Sequence, residues 1–405
     1  MSTRGGGGRS EFRRGRRGSW SGSGVDAERV FEIPVSSSGQ SDHLPEMLSD
    51  SFVPIVGTCP DMCPENERIR RERLRDLSIF ERLDGNPRKT SSAIAVKKFC
   101  RTLSSMHSQM SEVRPFSVLQ KSFKYLFDLL QSSEQPFEAV HAFVSDRLRS
   151  IRQDLSMQRI HNDQVIIMYE EMVKFHIISH QKLLRCREES TSLVYLNMEQ
   201  LVKILTSLYD MYSIERQSNE ISLNQGEFYS FYVLLCLGRN NQKAMGDSLS
   251  SWFRNLPFHV LQTREMCFAR RVLRYFQMGN YVQFFRMIAI SASFLQLCLI
   301  ESIVNEVRTN ALRCVNSSGH KLQPYPLIHL SKLLMVDMED LESICNLCSF
   351  KITPDKACGK LLPTKQIDFC QPKEGFPQYN FVGSERLQRW QDLMSASGNL
   401  FHFFE

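Results

Sequence analysis

From about residue 92 to 315 the chain reads as helix after helix with almost nothing to interrupt them. No other feature limits the fold as strongly. Of its 20 glycines in 405 residues, eight lie in the first 24, so the body keeps few of the residues that punctuate turns. Apolar side chains recur at helical spacing, as in Leu201, Ile204, Leu205 and Leu208, and again in Phe228, Phe231, Tyr232 and Leu235. Broad apolar faces also run through 123–130, 165–184, 266–276, 281–290 and 294–312. The breaks are short and polar, at 217–224, 238–242 and Gly279-Asn280; the last suits a helix C-terminus followed by a tight reversal. Helices of this kind stack as antiparallel hairpins. The expected fold is mainly α, an irregular helical solenoid without a strict sequence repeat. The 27 phenylalanines and 17 methionines suit the uneven spaces between packed helices.

Outside this body the texture changes twice. Gly, Ser and Arg fill 19 of the first 24 positions, with six arginines against the lone acid Glu11. Such a segment cannot bury a core, so 1–56 is expected to be a disordered tail and linker, a solubilising end or a nuclear-localisation or RNA-adhering patch at Arg13-Arg14-Gly15-Arg16-Arg17. After Gly319 a short helix over 325–336 is expected. A second follows to about Leu347, with Asp337 and Asp340 in a capping-box-like pattern. Residues 350–352 and 364–369 read as two short strands, with a turn at Thr353-Pro354-Asp355. Two helices and a β-hairpin after a solenoid suggest a winged helix. The expected division is therefore tail 1–56, strap and solenoid 57–315, winged helix 316–372 and C-terminal tail 373–405.

Membrane and secretory classes fall away. No run approaches the roughly 20 apolar residues of a span, and the start lacks an apolar signal region, so the chain reads as intracellular and soluble. The net charge of +6 permits an acidic partner without requiring one. No G-x-G-x-x-G, P-loop, G-x-S-x-G or H-E-x-x-H occurs, so no enzyme activity and no cofactor are expected.

One local signal is sharper than the rest. It is the run Gly57-Thr58-Cys59-Pro60-Asp61-Met62-Cys63-Pro64-Glu65-Asn66-Glu67-Arg68. Pro60 keeps Cys59 extended, Pro64 fits a first helical turn, and Glu65 and Glu67 suit the positive end of a helix expected to run to about Leu83. That helix mixes arginines and acids, with Glu67 and Arg71 at i, i+4, as a solvated face or a docking surface would. This run resembles the opening signature of the GANP family of messenger-RNA export scaffolds, which includes the suppressor-of-actin scaffold. The residues that carry it are Gly57, Thr58, Cys59, Pro60, Met62, Cys63, Pro64, Glu65, Glu67 and Arg68. The Gly279-Asn280-Tyr281 turn leading to Phe284-Phe285-Arg286 resembles the family's helical core, and a solenoid followed by a winged helix matches its PCI-like architecture. The resemblance covers roughly residues 57–370.

The resemblance implies a non-enzymatic scaffold in the nucleus, at the nuclear pore. It would pair with a PCI-domain partner and a small acidic subunit so that two winged helices form a joint RNA-binding surface for transcription-coupled mRNA transport. Neither a Phe-Gly repeat region nor a long C-terminal helix is seen, so the centrin-binding segment is expected to be absent. The alternative is a protein-only adaptor at the centrosome or spindle, or in a proteasome-lid-like PCI assembly, with a centrosomal or cytoplasmic location.

Candidate nucleic-acid contacts are Lys351, Lys356, Lys360 and Lys365 in the wing, with Asp355 the only acid among them. Arg270 and Arg274 share a helix face beside Arg264 and Arg271. Cys59 and Cys63 are too few for a structural zinc and read as packed thiols. Cys345 and Cys348, with Cys358 and Cys370 downstream, have metal-like spacing but fall on one face of an amphipathic helix, and so read as core. His176 and His180 lie a helical turn apart without the intervening glutamate of a metalloprotease, and read as ordinary helix histidines. No metal site is expected.

Overall fold

The computed structural model describes residues 55–101, 109–186, 191–217, 224–237, 249–318, 324–355, 359–370, 377 and 379–389. The tail expected at 1–56 lies outside them, apart from Ile55 and Val56. Helices run in the order α1 (Glu65–Leu74), α2 (Phe116–Ser132), α3 (Phe137–Gln158), α4 (Asp163–Arg185), α5 (Thr191–Gln217), α6 (Gln225–Leu235) and α7 (249–255). They continue as α8 (Phe258–Gln262), α9 (Arg264–Gln277), α10 (Tyr281–Ser291), α11 (Phe294–Ser318), α12 (Leu327–Leu334), α13 (Met338–Leu347) and α14 (385–389). The strands are β1 (Tyr325–Pro326), β2 (Thr353–Asp355) and β3 (Gly359–Leu362). The fold is mainly α, as its sparse turn residues require.

Sequential helices pack on one another, and α11 returns to lie on both α4 and α6. α4 is therefore covered by α3, α5 and α11, and is buried nearly all round. A helix enclosed in this way must satisfy its polar side chains internally. Glu170 accepts the Tyr212 hydroxyl of α5 at 2.7 Å, and Gln181 meets Glu301 of α11 at 3.2 Å. Arg185 completes that crossing with an ion pair to Glu301 at 2.7 Å. Aromatic rings fill much of the core: Phe175, Phe228, Phe231, Phe284 and Phe285 are fully buried.

Amphipathicity sets the peripheral helices. In α9, Met266, Ala269, Val272 and Leu273 turn inward, while Arg264, Arg270, Arg271 and Arg274 are exposed. The Thr263 hydroxyl accepts the Met266 N–H to start it. Gly279 at φ +64° ends it, and the Asn280 side chain caps α10 by accepting the Gln283 N–H at 3.1 Å. The reversal falls where the Gly-Asn pair places it.

α1 is shorter than expected: Arg75 adopts a left-handed conformation at φ 56° and ends it at Leu74. The C-terminal elements also differ in detail. β1 was not foreseen, and it pairs antiparallel with β3, giving the strand order β1-β3-β2. The expected turn Thr353-Pro354-Asp355 is itself β2, and 364–369 forms no strand. Pro354 is tolerated because β2 is an edge strand. Asp337 is the N-cap of α13, but its side chain makes no capping hydrogen bond. Two reciprocal amide pairs hold the base of the hairpin. Asn316 of α11 exchanges hydrogen bonds with the Gln366 backbone (2.8 and 2.9 Å), and the Gln366 side chain does the same with the Lys351 backbone (2.7 and 3.0 Å).

For 376–405 the sequence alone suggested no element. Among the described residues there, Pro377 and 379–382 lie against α11 and α12, joined through the fully buried Arg308. Its guanidinium donates to the carbonyls of Leu334 (3.3 Å), Met335 (2.9 Å), Tyr379 (3.3 Å) and Asn380 (3.3 Å), and to Asn305 Oδ1 (3.0 Å). Burial without a touching carboxylate lowers it to about 10. Replacing Arg308 by Met orphans these acceptors, each worth about 1–3 kcal/mol when buried and unpaired. Urea unfolding of Arg308→Met is expected to show a loss of at least ~3 kcal/mol against wild type.

Candidate functional site: a buried clasp and an exposed basic hairpin

The signature run is an extended strap held to one face of α3. Arg147, Ser150, Asp154 and Gln158 recur at three- and four-residue spacing, and so line a single stripe of that helix. Every one of them is engaged by the strap or the loop after it. The Gly57 N–H donates to Gln158 Oε1 at 3.0 Å, and Gln158 Nε2 donates to the Arg114 and Asp154 carbonyls at 2.9 Å. The next N–H groups, of Thr58 and Cys59, donate to the carbonyls of Met110 (2.9 Å) and Val113 (3.0 Å). Gly57 has no room for a side chain: a Cβ there would lie 2.6 Å from the Val113 carbonyl oxygen and 2.9 Å from the Arg114 carbonyl carbon.

Two buried carboxylates anchor the rest. Asp154 takes Lys97 Nζ on one oxygen and Arg114 Nε on the other, both at 2.7 Å. Other donors of these cations are also used: Lys97 reaches the Glu112 carbonyl (2.7 Å), and Arg114 reaches Ser150 (2.9 Å) and the Met62 carbonyl (3.3 Å). Glu81 sits between Arg71 and Arg147 and also accepts the Val96 N–H at 3.0 Å. Burial alone would raise its carboxyl, but Arg147 and then Arg71 hold it below the usual range. Arg71 is thus turned inward, pairing weakly with Glu67 at 3.7 Å, while Ile69 and Leu74 of the same helix are exposed.

The signature residues divide accordingly. Gly57, Cys59, Met62, Cys63 and Pro64 are buried, whereas Thr58, Pro60 and Glu65 are exposed. Glu67 accepts the Lys98 N–H at 2.8 Å, and Arg68 pairs with Asp61 at 3.3 Å. Burial pushes the Cys63 thiol up to about 12 and raises that of Cys59, which keeps both as neutral packing groups. The clasp partners Glu81, Lys97, Arg114 and Asp154 were not foreseen.

The described basic candidates are at the surface. Lys351, Lys360 and Lys365 are exposed, and Lys356 lies outside the described residues, as does Cys358. Acids outside the run of basic residues reach two of them: Glu342 of α13 meets Lys360 at 2.6 Å and Asp368 meets Lys351 at 3.4 Å. Exposed pairs of this kind are worth about 0–1 kcal/mol and yield readily to a competing phosphate. Arg270 rests on the Phe253 ring at 5.6 Å, and Arg274 is exposed beside it on α9. The two basic sets have different neighbours, since α9 packs on α6, α8 and α10 while β3 packs on α12 and β1.

His176 and His180 face the core. Asn197 Oδ1 accepts from His176 Nδ1 (2.7 Å) and His141 Nε2 (2.8 Å); these bonds favour the protonated rings, but burial outweighs them and lowers both. Desolvation lowers His176 to about 3 and His180 to about 4. Cys345 and Cys348 are buried in and just after α13. Among the described residues, no group of three or more His, Cys, Asp or Glu side chains is placed to hold a metal ion, and no helix is long and apolar enough to cross a membrane.

The family model described as the SAC3/GANP family matches residues 62–354, which takes in the strap from Met62 onward, the helices and the start of the hairpin. SAC3 family protein B of Arabidopsis thaliana is 36% identical over 338 residues, covering 81% of this chain and 20% of that protein. SAC3 family protein 1 of Schizosaccharomyces pombe is 28% identical over 375 residues, covering 87% of this chain and 35% of that protein. Protein xmas of Drosophila melanogaster is 26% identical over 292 residues, covering 69% of this chain and 14% of that protein. The chain therefore spans only 14% to 35% of the length of these relatives.

Two outcomes follow from this geometry. Gly57→Ala forces the strap off Val113 and is expected to cost about 1–3 kcal/mol, read as a lower thermal midpoint. The buried histidines make the fold acid-sensitive. In the unfolded chain they bind protons below about pH 6.5, while in the folded chain they stay neutral until about pH 4. Stability should thus be full above pH 6.5 and decline as pH falls toward 4, by about 3 kcal/mol per ring. Urea titrations across that range should show a shallower decline for His180→Leu.

Proposed function

The chain belongs to the SAC3/GANP family, and from that premise we propose that it is a non-enzymatic scaffold of an mRNA export complex in the nucleus. It pairs with a PCI-domain partner and a small acidic subunit, and with that partner offers one basic surface to RNA. The observation that carries this reading is the family match across 62–354, because that span contains α1 through α13 and reaches into β2. In this reading 57–315 is the PCI-like solenoid and 316–372 a winged helix. The three-stranded antiparallel sheet, the α12–α13 pair and the β2–β3 hairpin support the second assignment.

Surface chemistry supports both kinds of partner. Lys351, Lys360 and Lys365 are exposed around the hairpin and reach phosphates without reading bases. Ile367 beside them is 95% exposed, an apolar side chain available to a protein partner. A nuclear-pore location belongs to the same proposal.

A second reading, the protein-only adaptor at a centrosome, spindle or lid-like assembly, draws on one observation. Glu342 and Asp368 partly neutralise the hairpin through their pairs with Lys360 and Lys351. The experiment that separates the two is RNA binding by the complex purified with its subunits. Charge reversal at Lys351 and Lys360 is expected to weaken binding about tenfold or more and to reduce the salt slope by about one per lysine. Unchanged affinity and slope would remove the hairpin from the RNA surface and favour the adaptor.

A further inference from the structure

A cavity of about 600 Å³ opens between the C-terminal half of α3, the start of α4 and α5. It lies on elements other than the hairpin, and the scaffold reading makes no use of it. Three of its four Lys and Arg side chains come from one helix. Arg149, Arg152 and Arg159 follow at three- and seven-residue intervals on α3 and its C-cap, so all three reach the same side.

None of the three is in an ion pair among the described residues. Arg152 gives one Nη to Gln200 Oε1 at 2.6 Å, while its Nε is sealed from solvent and meets no acceptor. Arg149 lies over the Phe99 ring at 3.7 Å. Arg159 is exposed at the rim. The fourth, Lys203 of α5, is already paired with Glu199, and Asp210 is the one carboxylate in the lining. Desolvation lowers the Arg152 guanidinium to about 10, with the Arg149 charge adding to the effect and Tyr169 opposing it.

A guanidinium held in a cleft with no ion-pair partner and a like-charged neighbour is costly, and a bound anion offsets that cost. The volume lies within the range of about 300–1,000 Å³ typical of small-molecule sites. Tyr169, Ile160 and Met211 supply apolar wall opposite the arginines. The cavity therefore fits a ligand with an anionic end and a flat or aliphatic body.

We propose that this cavity binds an organic phosphate of nucleotide size, with its phosphoryl group held by Arg149, Arg152 and Arg159 and its body against Tyr169 and Ile160. The phosphate comes from a free mononucleotide or from the terminal nucleotide of a single-stranded RNA. Calorimetric titration of the full 405-residue chain with AMP, with a 5′-phosphorylated RNA tetranucleotide and with inorganic pyrophosphate tests it. Saturable AMP binding is expected, weakened about tenfold or more in both Arg152→Gln and Arg159→Glu. The exposed position of Arg159 keeps the test valid if Arg152→Gln does not fold. Equal affinity for AMP and the tetranucleotide upholds the proposal with a free nucleotide as the source. Tighter binding of the tetranucleotide upholds it with an RNA end. No saturable binding, binding of pyrophosphate alone, or indifference to both substitutions overturns it. Charge reversal at Lys351 and Lys360 should leave AMP binding unchanged, so this proposal and the scaffold reading fail separately.

Discussion

A carboxylate with no access to water survives as an anion only if cations and donors replace its lost hydration. Asp154 meets that condition with Lys97, Arg114 and the Arg114 backbone N–H. Because Lys97 and Arg114 sit in the segment between the strap and α2, the carboxylate on α3 fixes the path of everything before it. Glu81 repeats the device with Arg71 and Arg147. The strap itself has few large apolar side chains to bury. Polar, directional contacts take the place that a hydrophobic stripe fills in the later helices, and they fix its register on α3.

Buried cations elsewhere are handled without carboxylates. Arg308 uses four backbone carbonyls and one amide oxygen, which serve it as a ring of dipoles. The Phe285 and Phe381 rings flank it at 5.9 and 5.4 Å and add a cation–π contribution. This arrangement joins the end of α12 to the segment after 377, so one side chain of α11 holds a helix end and an irregular segment together. Arg152 has less: one amide oxygen and an idle Nε. Arg308 is satisfied by its set of dipoles, whereas Arg152 is left short of acceptors.

The helices were legible because burial and spacing act locally. Gly279-Asn280 marks its reversal through a positive φ and a side-chain cap, both properties of single residues. The clasp was not legible. Lys97 and Asp154 are 57 residues apart in sequence, and Glu81 and Arg147 are 66. Each reads alone as a surface charge. The available hint was the polar stripe Arg147, Ser150, Asp154 and Gln158, interleaved with buried Val144, Leu148, Ile151 and Leu155. The hairpin was misplaced by a few residues for a related reason. Lys351 finds its backbone partner in a side chain, that of Gln366, and no strand pattern in the sequence encodes such a pairing. The acids that meet Lys351 and Lys360 come from outside the run of basic residues, and a linear reading does not reveal them.

The Asn316–Gln366–Lys351 relay has a mechanical consequence. The hairpin base is joined to α11 by paired hydrogen bonds at each step, and paired bonds resist rotation in a way that one bond does not. α11 is in turn locked across α4 by Glu301, which holds both Gln181 and Arg185. Tension on the hairpin, such as the drag of a long polymer, therefore enters the centre of the helical array through short stiff links. The hairpin behaves as a lever clamped to the body, and its direction of pull is set by α11.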